Sequence, residues 1–339
     1  MALNDIGIDL GTKTIIISVE GKGIVLKEPT VVAIDTRNDT FLAVGDEAFK
    51  MVGKTPSYIK SVFPLEDGVI SNYNVTKDLI KAYISKVYNS HVVKPRVCVC
   101  VPSNITGVEN DAVVEAAISA GARQVFLIEE PMAAAMGCGI DISLPNGNMV
   151  IDIGGGTTDT AIISLGGGVI SRSIKIGGNA FDREIVRYIR MTYGLIVGER
   201  SAEQLKIEIG SADEKLGIDN KSIIKGISLR THLPQTLELT TKDLYAPINE
   251  CAVQILDIAK QTLEKTPPEL SGDIYQNGVY LTGGGALLTG LDSYISRGLG
   301  VAVHLAEDSE NCVVRGTAIA LTMSENLENG FRDATPKMR

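Results

Sequence analysis

Two aspartates, each closing a short apolar run and followed within two residues by glycine, are the side chains best placed for chemistry. Asp9 ends Asp5-Ile6-Gly7-Ile8-Asp9 ahead of Leu10-Gly11-Thr12. Asp152 ends Met149-Val150-Ile151-Asp152 ahead of Ile153-Gly154-Gly155-Gly156-Thr157-Thr158. Phosphate oxygens need backbone N–H donors at close range, and glycine allows that approach because it lacks a Cβ. Threonine adds a hydroxyl donor. Two such turns could grip one phosphate chain from opposite sides, with Lys13 and Thr14 continuing the first turn. A nucleotide triphosphate travels with Mg²⁺, which keeps several waters and takes few carboxylates, so Asp9 and Asp152 could hold that hydrated ion between them. The plainer alternative is that each Asp only caps its own turn. A third glycine turn, Gly283-Gly284-Gly285, follows Val279-Tyr280-Leu281-Thr282. Three strand-then-glycine turns suggest three backbone approaches to one ligand.

These turns need strands to carry them, and the spacing supplies a repeat. Asp9 and Asp152 stand 143 residues apart, roughly half of a duplicated chain. Residues 13–19 and 160–165, rich in Ile, Val and Thr, read as the second strands of hairpins. Residues 109–120 read as a helix with Ala112, Val113, Ala116, Ala117 and Ala120 on one face and Gly121 at its end. Helices are also expected over 182–193, with Ile185, Val186 and Ile189 inward and Gly194 as stop, and over 249–265, closed by Pro267 and Pro268. The expectation is an α/β protein of two similar lobes with a cleft between them. Residues 1–140 and 316–339 would form the first lobe and 141–315 the second. The stretches 30–74 and 180–245 would form smaller outer subdomains, and the last fifteen or so residues a loose polar tail.

Composition narrows the class. A chain of 339 residues is longer than one core usually supports, and 44% hydrophobic with 22% charged residues is ordinary for a globular protein. A net charge of −9 argues against a large nucleic-acid footprint. The five cysteines show no zinc-site spacing; Cys98 and Cys100 share one face of a strand and read as core, in keeping with a reducing cytoplasm. No apolar run approaches the ~20 residues that span a bilayer, and the N-terminus lacks the pattern of a signal peptide.

The layout of two phosphate turns and a third turn for adenosine is similar to the actin, Hsp70 and sugar-kinase superfamily. Within it the chain resembles the MreB family. The resemblance runs through Asn4–Thr12, Leu127-Ile128-Glu129-Glu130-Pro131-Met132-Ala133-Ala134-Ala135, Lys206-Ile207-Glu208-Ile209-Gly210 and Leu263-Glu264-Lys265-Thr266-Pro267-Pro268-Glu269-Leu270. It implies an actin-like fold and an ATPase using ATP/ADP and Mg²⁺, which is expected to be slow because Lys13 and Asp159 depart from the family pattern. Glu130 would be the carboxylate that orients the attacking water, and Thr157 its partner. Gly11, Thr12, Lys13, Thr14, Gly154, Gly155, Gly156, Thr157 and Thr158 would hold phosphates. Gly283, Gly284 and Gly285 would form the adenosine turn, flanked by Glu203 and Lys206. Two positions depart from the family: Lys13-Thr14-Ile15 stands where Ala-Asn-Thr is usual, and Asp159 where Glu is usual.

The resemblance further implies head-to-tail protofilaments, paired, in a cytoplasmic protein of bacterial cell shape, together with other cell-shape proteins. It also implies peripheral contact with the inner face of the cell membrane, an anionic surface, through Val92 and Val93 in the loop His91–Pro95. With four residues ahead of Asp5, no N-terminal amphipathic helix is expected. The alternatives are a plasmid-segregating actin-like filament and a small-molecule kinase of the same superfamily. An Hsp70-type chaperone lacks room for its peptide-binding domain, and a Rossmann enzyme would need a Gly-x-Gly-x-x-Gly turn entering a helix.

Overall fold

The computed structural model describes residues 5–88, 94–103, 105–323 and 331–336. Two mixed β-sheets organise it, and they have one topology. In the first, Ile6–Leu10 pairs antiparallel with Thr14–Val19, which pairs with Gly23–Pro29. On its other side Ile6–Leu10 runs parallel to Arg96–Val101, and that strand to Gln124–Glu129. In the second, Asn148–Ile153, Thr158–Ser164 and Gly167–Ile174 make the antiparallel meander, while Val279–Thr282 and Val303–Leu305 add in parallel. The repeat expected from the two aspartates is therefore a repeat of whole sheets, with Asp9 and Asp152 on equivalent central strands.

The central strands read as unbroken apolar runs because both faces are covered, as parallel strands with helices on either side require. Every residue of Asn148–Ile153 is buried. Outside the first sheet lie the helices Tyr73–Val87 and Gly107–Ser119, the latter started by a capping box of Thr106 and Glu109. Outside the second lie Gly178–Tyr193 and Thr241–Glu264. Between the sheets run Glu130–Gly137 and Cys312–Thr322. Their core joins Cys98, Cys100 and Ile128 of one sheet to Val150, Ala161 and Ile163 of the other. Cys98 and Cys100 are thus core residues, as expected.

These two helices cross with almost no side chain between them. A Cβ added to Gly316 would lie 1.8 Å from the Ala133 carbonyl oxygen, and one on Gly137 would lie 1.8 Å from that of Cys312. The small stretch Ala133–Ala135, together with these glycines, is what permits the contact.

The residues 30–74 contain a small sheet of Thr40–Val44, Val32–Asp35 and Ile59–Val62, with a minor core of Val31, Ala33 and Ala48. Within 180–245 another three-stranded sheet forms from Leu195–Ile196, Lys221–Ser228 and Pro234–Thr240. Ile224 and Leu239 from it share the core of the second main sheet.

Three expectations need correcting. The helix expected over 249–265 begins at Thr241, because Thr240 and Asp243 form a capping box and Pro247 is carried inside the helix. The helix expected over 182–193 begins at Gly178. The polar tail is not wholly loose: Phe331–Asp333 adds a sixth strand to the first sheet, antiparallel to Gln124–Glu129. One aromatic residue anchors it, since Phe331 is buried and stacks on Phe126 with ring centroids 5.3 Å apart. The Ala334 N–H then donates to the Val125 carbonyl and the Val125 N–H to the Thr335 hydroxyl.

Candidate active site

The first turns of both hairpins close in the same way. Gly11 N–H donates to the Thr14 carbonyl at 3.1 Å, and Gly154 N–H to the Thr157 carbonyl at 2.9 Å. Thr30 Oγ1 braces the first turn by donating to the Gly11 carbonyl at 2.8 Å. The second turn is bonded to the start of the helix Gly178–Tyr193, whose Gly178 and Asn179 N–H groups donate to the Gly154 and Gly155 carbonyls at 2.9 and 2.8 Å. The two turns face each other closely: a Cβ on Gly156 would lie 2.6 Å from Thr12 Oγ1, and one on Gly155 would lie 2.7 Å from Lys13 Cβ.

Between them opens a cleft of about 410 Å³, within the ~300–1,000 Å³ of small-molecule sites. Asp9, Gly11, Thr12, Lys13, Thr14, Glu130, Asp152, Gly154, Gly155, Gly156, Thr157, Glu203, Lys206, Gly283, Gly284 and Gly285 all line it. Thr158 does not. It begins the next strand fully buried, and its hydroxyl donates to the Ile176 carbonyl at 2.7 Å, so its side chain leaves the phosphate set. Val92 and Val93 lie outside the described residues.

Glu130 is the first residue of its helix, directly before Pro131, and is buried. Asp152 accepts a hydrogen bond from Thr282 Oγ1 at 2.6 Å, which ties the second hairpin to the third glycine turn. In that turn Gly283 adopts φ +83° against the Ile153 carbonyl, a conformation open to glycine. Lys13, partly exposed, does not stand alone. It pairs with Glu203, and its Nζ lies 3.6 Å from Asp182, whose other oxygen lies 2.7 Å from Lys206 Nζ. The first phosphate turn is thereby bonded across the cleft to the helices of the second sheet.

Sequence reasoning missed three participants. Thr282 preceded the glycine turn in plain view, but its bond to Asp152 depends on strand pairing. Asp182 carried no motif. The tip Asp67-Gly68 of the hairpin Leu65–Glu66/Val69–Ile70 sits over both phosphate turns: Gly68 N–H donates to Thr12 Oγ1 at 3.1 Å, and Asp67 lies 3.4 Å from Arg183 across the cleft. An Asp-Gly pair between short apolar runs is a hairpin signal. Nothing local tells where such a tip will land.

Asp9, Glu130 and Asp152 face the cleft together, and a fourth carboxylate, Asp159, lies fully buried on the strand paired with that of Asp152. Burial, then the charge of Asp152, pushes Asp9 up to about 8, although part of its surface still faces the cleft. Burial pushes Asp152 up to about 6, tempered by the Thr282 hydrogen bond. Asp159 is pushed up to about 7 by burial and by Asp152; Ser173 and Thr157 lie near enough to oppose this, yet neither carboxylate oxygen has a partner in hydrogen-bond geometry. Glu130 is raised well above the usual range by burial and by Asp159, Asp152 and Asp9. Carboxylates raised by burial and crowded around one cavity, as Asp9, Asp152 and Glu130 are, form a set that a hydrated cation would satisfy.

This has a pH consequence. Each acid holds its proton to higher pH in the folded chain than in the unfolded one, so its contribution to stability is fully present below the unfolded value near 4. It is lost as pH rises through about 6 to 8. Thermal melts of ligand-free protein should show a midpoint falling between about pH 5 and about pH 8.5, with a shallower fall in Asp152→Asn. A midpoint equally steep in that variant would remove the cluster as the cause.

The family model described as MreB/Mbl protein matches residues 3–329. This chain belongs to the MreB/Mbl family. It is 46% identical over 333 residues to the cell shape-determining protein Mbl of Bacillus subtilis, covering 96% of this chain and 98% of that one. It is 45% identical over 334 residues to the cell shape-determining protein MreB of Escherichia coli, covering 95% and 94%. MreB5 of Spiroplasma citri bound to AMPPNP superposes with a TM-score of 0.89 at 39% identity, over 95% of this chain and 97% of that one. The MamK double helical filament superposes at 0.76 with 20% identity, a likeness of fold. The actin-like architecture expected of an MreB/Mbl protein is the one this chain has.

Proposed function

We propose that this MreB/Mbl protein is a cytoskeletal ATPase whose nucleotide-dependent filaments act in bacterial cell shape. The observation that carries the reading is the convergence of three glycine turns with Asp9, Asp152 and Glu130 on one cleft, in a chain whose relatives are named cell shape-determining proteins. MreB5 of Spiroplasma citri has been solved with AMPPNP and with ADP, which supports ATP/ADP as ligands.

In this reading the turns Gly11–Thr14 and Gly154–Thr157 donate N–H and hydroxyl groups to the phosphates, and Glu203 and Lys206 border the ribose. Lys13 would then exchange part of its ion pairing for a phosphate oxygen. Asp9 and Asp152 would hold Mg²⁺ through water. That ion supplies positive charge against the phosphate oxygens and restores the carboxylates to their ionised form. Glu130, once ionised, accepts a hydrogen bond from the attacking water and orients it, with the Thr157 hydroxyl beside it. Phosphoryl transfer asks for little beyond such positioning and charge stabilisation, which fits a slow enzyme. Asp159, one methylene shorter than the usual glutamate, stays fully buried and does not line the cleft.

Pelleting of the purified protein with ATP, ADP or no nucleotide, alongside phosphate release, tests the reading. Nucleotide-dependent filaments with slow turnover are expected. A monomer under every condition, still binding ATP, would favour the small-molecule kinase.

No helix among the described residues is long and apolar enough to cross a membrane. For peripheral contact we propose the loop bearing Val92 and Val93. Flotation with anionic liposomes should fall several-fold in Val92→Ser with Val93→Ser, since burying two valine side chains in a membrane contributes a few kcal/mol at most. Unchanged flotation would remove the loop from the membrane hypothesis.

A further inference from the structure

Two of the five cysteines meet where the inter-sheet helices cross. Cys138 caps the C-terminus of Glu130–Gly137, and Cys312 begins Cys312–Thr322. Their sulfurs are 3.7 Å apart, with the Cys138 S–H donating to Cys312 Sγ. The Cys312 S–H in turn points at the Asp308 carbonyl, also 3.7 Å away. The backbones are pinned together on either side by the close contacts at Gly137 and Gly316.

The remaining cysteines stand apart. Cys98, Cys100 and Cys251 are buried, and burial raises each thiol, that of Cys251 to about 12. Cys138 is half-buried, so a small oxidant can reach it. The Cys312 thiol is shifted the other way, lowered by the Cys138 hydrogen bond and by Arg315. The same hydrogen bond raises the Cys138 thiol, its donor, so what pairs the two is geometry: a sulfur that an oxidant can reach, 3.7 Å from a second sulfur that can resolve it.

We propose that Cys138 and Cys312 form a reversible disulfide under peroxide, a modification site that fixes the crossing of the two inter-sheet helices. Cys138 attacks the peroxide, the O–O bond breaks, and a sulfenic acid and water result. The Cys312 sulfur then attacks the Cys138 sulfur. The S–S bond forms, and hydroxide leaves with the Cys312 proton as a second water. The two thiols lose two electrons and two protons, and the peroxide is reduced to water. The sulfurs must close from 3.7 Å to a bond of about 2.05 Å, a side-chain rotation between backbones already in contact.

The bond would join two walls of the cleft. Glu130 heads one helix, while Glu310 and Val313, on either side of Cys312, line the cleft directly. This consequence rests on the nucleotide reading above; the disulfide itself does not.

The test uses the full chain, reduced, freed of thiol and exposed to hydrogen peroxide. Intact mass should fall by two hydrogens, and peptide mapping should join the Cys138 and Cys312 peptides, reversibly with dithiothreitol. Cys138→Ser should abolish that loss. A link between Cys98 and Cys100 instead, or no link while Cys138 alone is oxidised, would overturn the site. In the wild type, dissociation of a fluorescent ATP analogue should slow by about fivefold or more on oxidation and recover on reduction. An unchanged rate in a fully crosslinked sample would overturn the coupling to the cleft. Failure of the reduced protein to bind the analogue would count against the nucleotide reading and leave the mapped disulfide standing.

Discussion

Glu130→Gln should lower ATP turnover by roughly 100-fold or more while leaving nucleotide-dependent pelleting in place. The amide keeps the volume of the buried side chain at the head of its helix but cannot orient water as a carboxylate does. It also removes a buried acid that Asp159, Asp152 and Asp9 all push upward, so folding should not suffer. The separation of the two readouts is what matters. Lost turnover with retained pelleting assigns Glu130 to chemistry after binding. Turnover within about threefold of wild type would reassign it to structure, because removing a positioned acid or base typically costs ~10²–10⁴-fold.

Gly316→Ala should destabilise the fold by about 3 kcal/mol, through the crossing of the inter-sheet helices. One methyl group is enough, since it would lie 1.8 Å from the Ala133 carbonyl oxygen, and a backbone carbonyl on a packed helix has nowhere to go. Separating the helices would open the core they share with both sheets. Gly272→Ala makes the control. That glycine lies in the helix Pro268–Asn277 with open space where its Cβ would be, and the change should stabilise by about 0.5–1 kcal/mol. Urea unfolding of both variants would therefore give shifts of opposite sign. Similar shifts in the two would mean that the helices have room to part.

Much of this architecture was legible in the sequence because it rests on local signals. An apolar run, an aspartate and a glycine turn specify a strand end and a backbone approach, and they occur twice at a fixed separation. Asp9, Asp152 and the glycines of all three turns accordingly meet in one cleft. What escaped was non-local. Thr158 carries the same residue type as Thr157, but strand alternation turns its hydroxyl toward Ile176. The partnership of Lys13 with Glu203 joins residues far apart in sequence, and charge alone could not distinguish it from a solvated lysine. The sixth strand of the first sheet hangs on a single aromatic stack amid polar residues, so periodicity gave it no weight.

That sixth strand, with the Cys312–Thr322 helix before it, sets a schedule for biosynthesis. Both leave the ribosome after the whole second sheet, yet they complete the sheet that begins at Ile6 and fill the core beneath Cys98, Cys100 and Ile128. The N-terminal half thus cannot finish folding as it is translated. Its apolar face must wait, exposed, through synthesis of the entire second sheet, which is the interval in which a nascent chain is most open to aggregation and most dependent on chaperones.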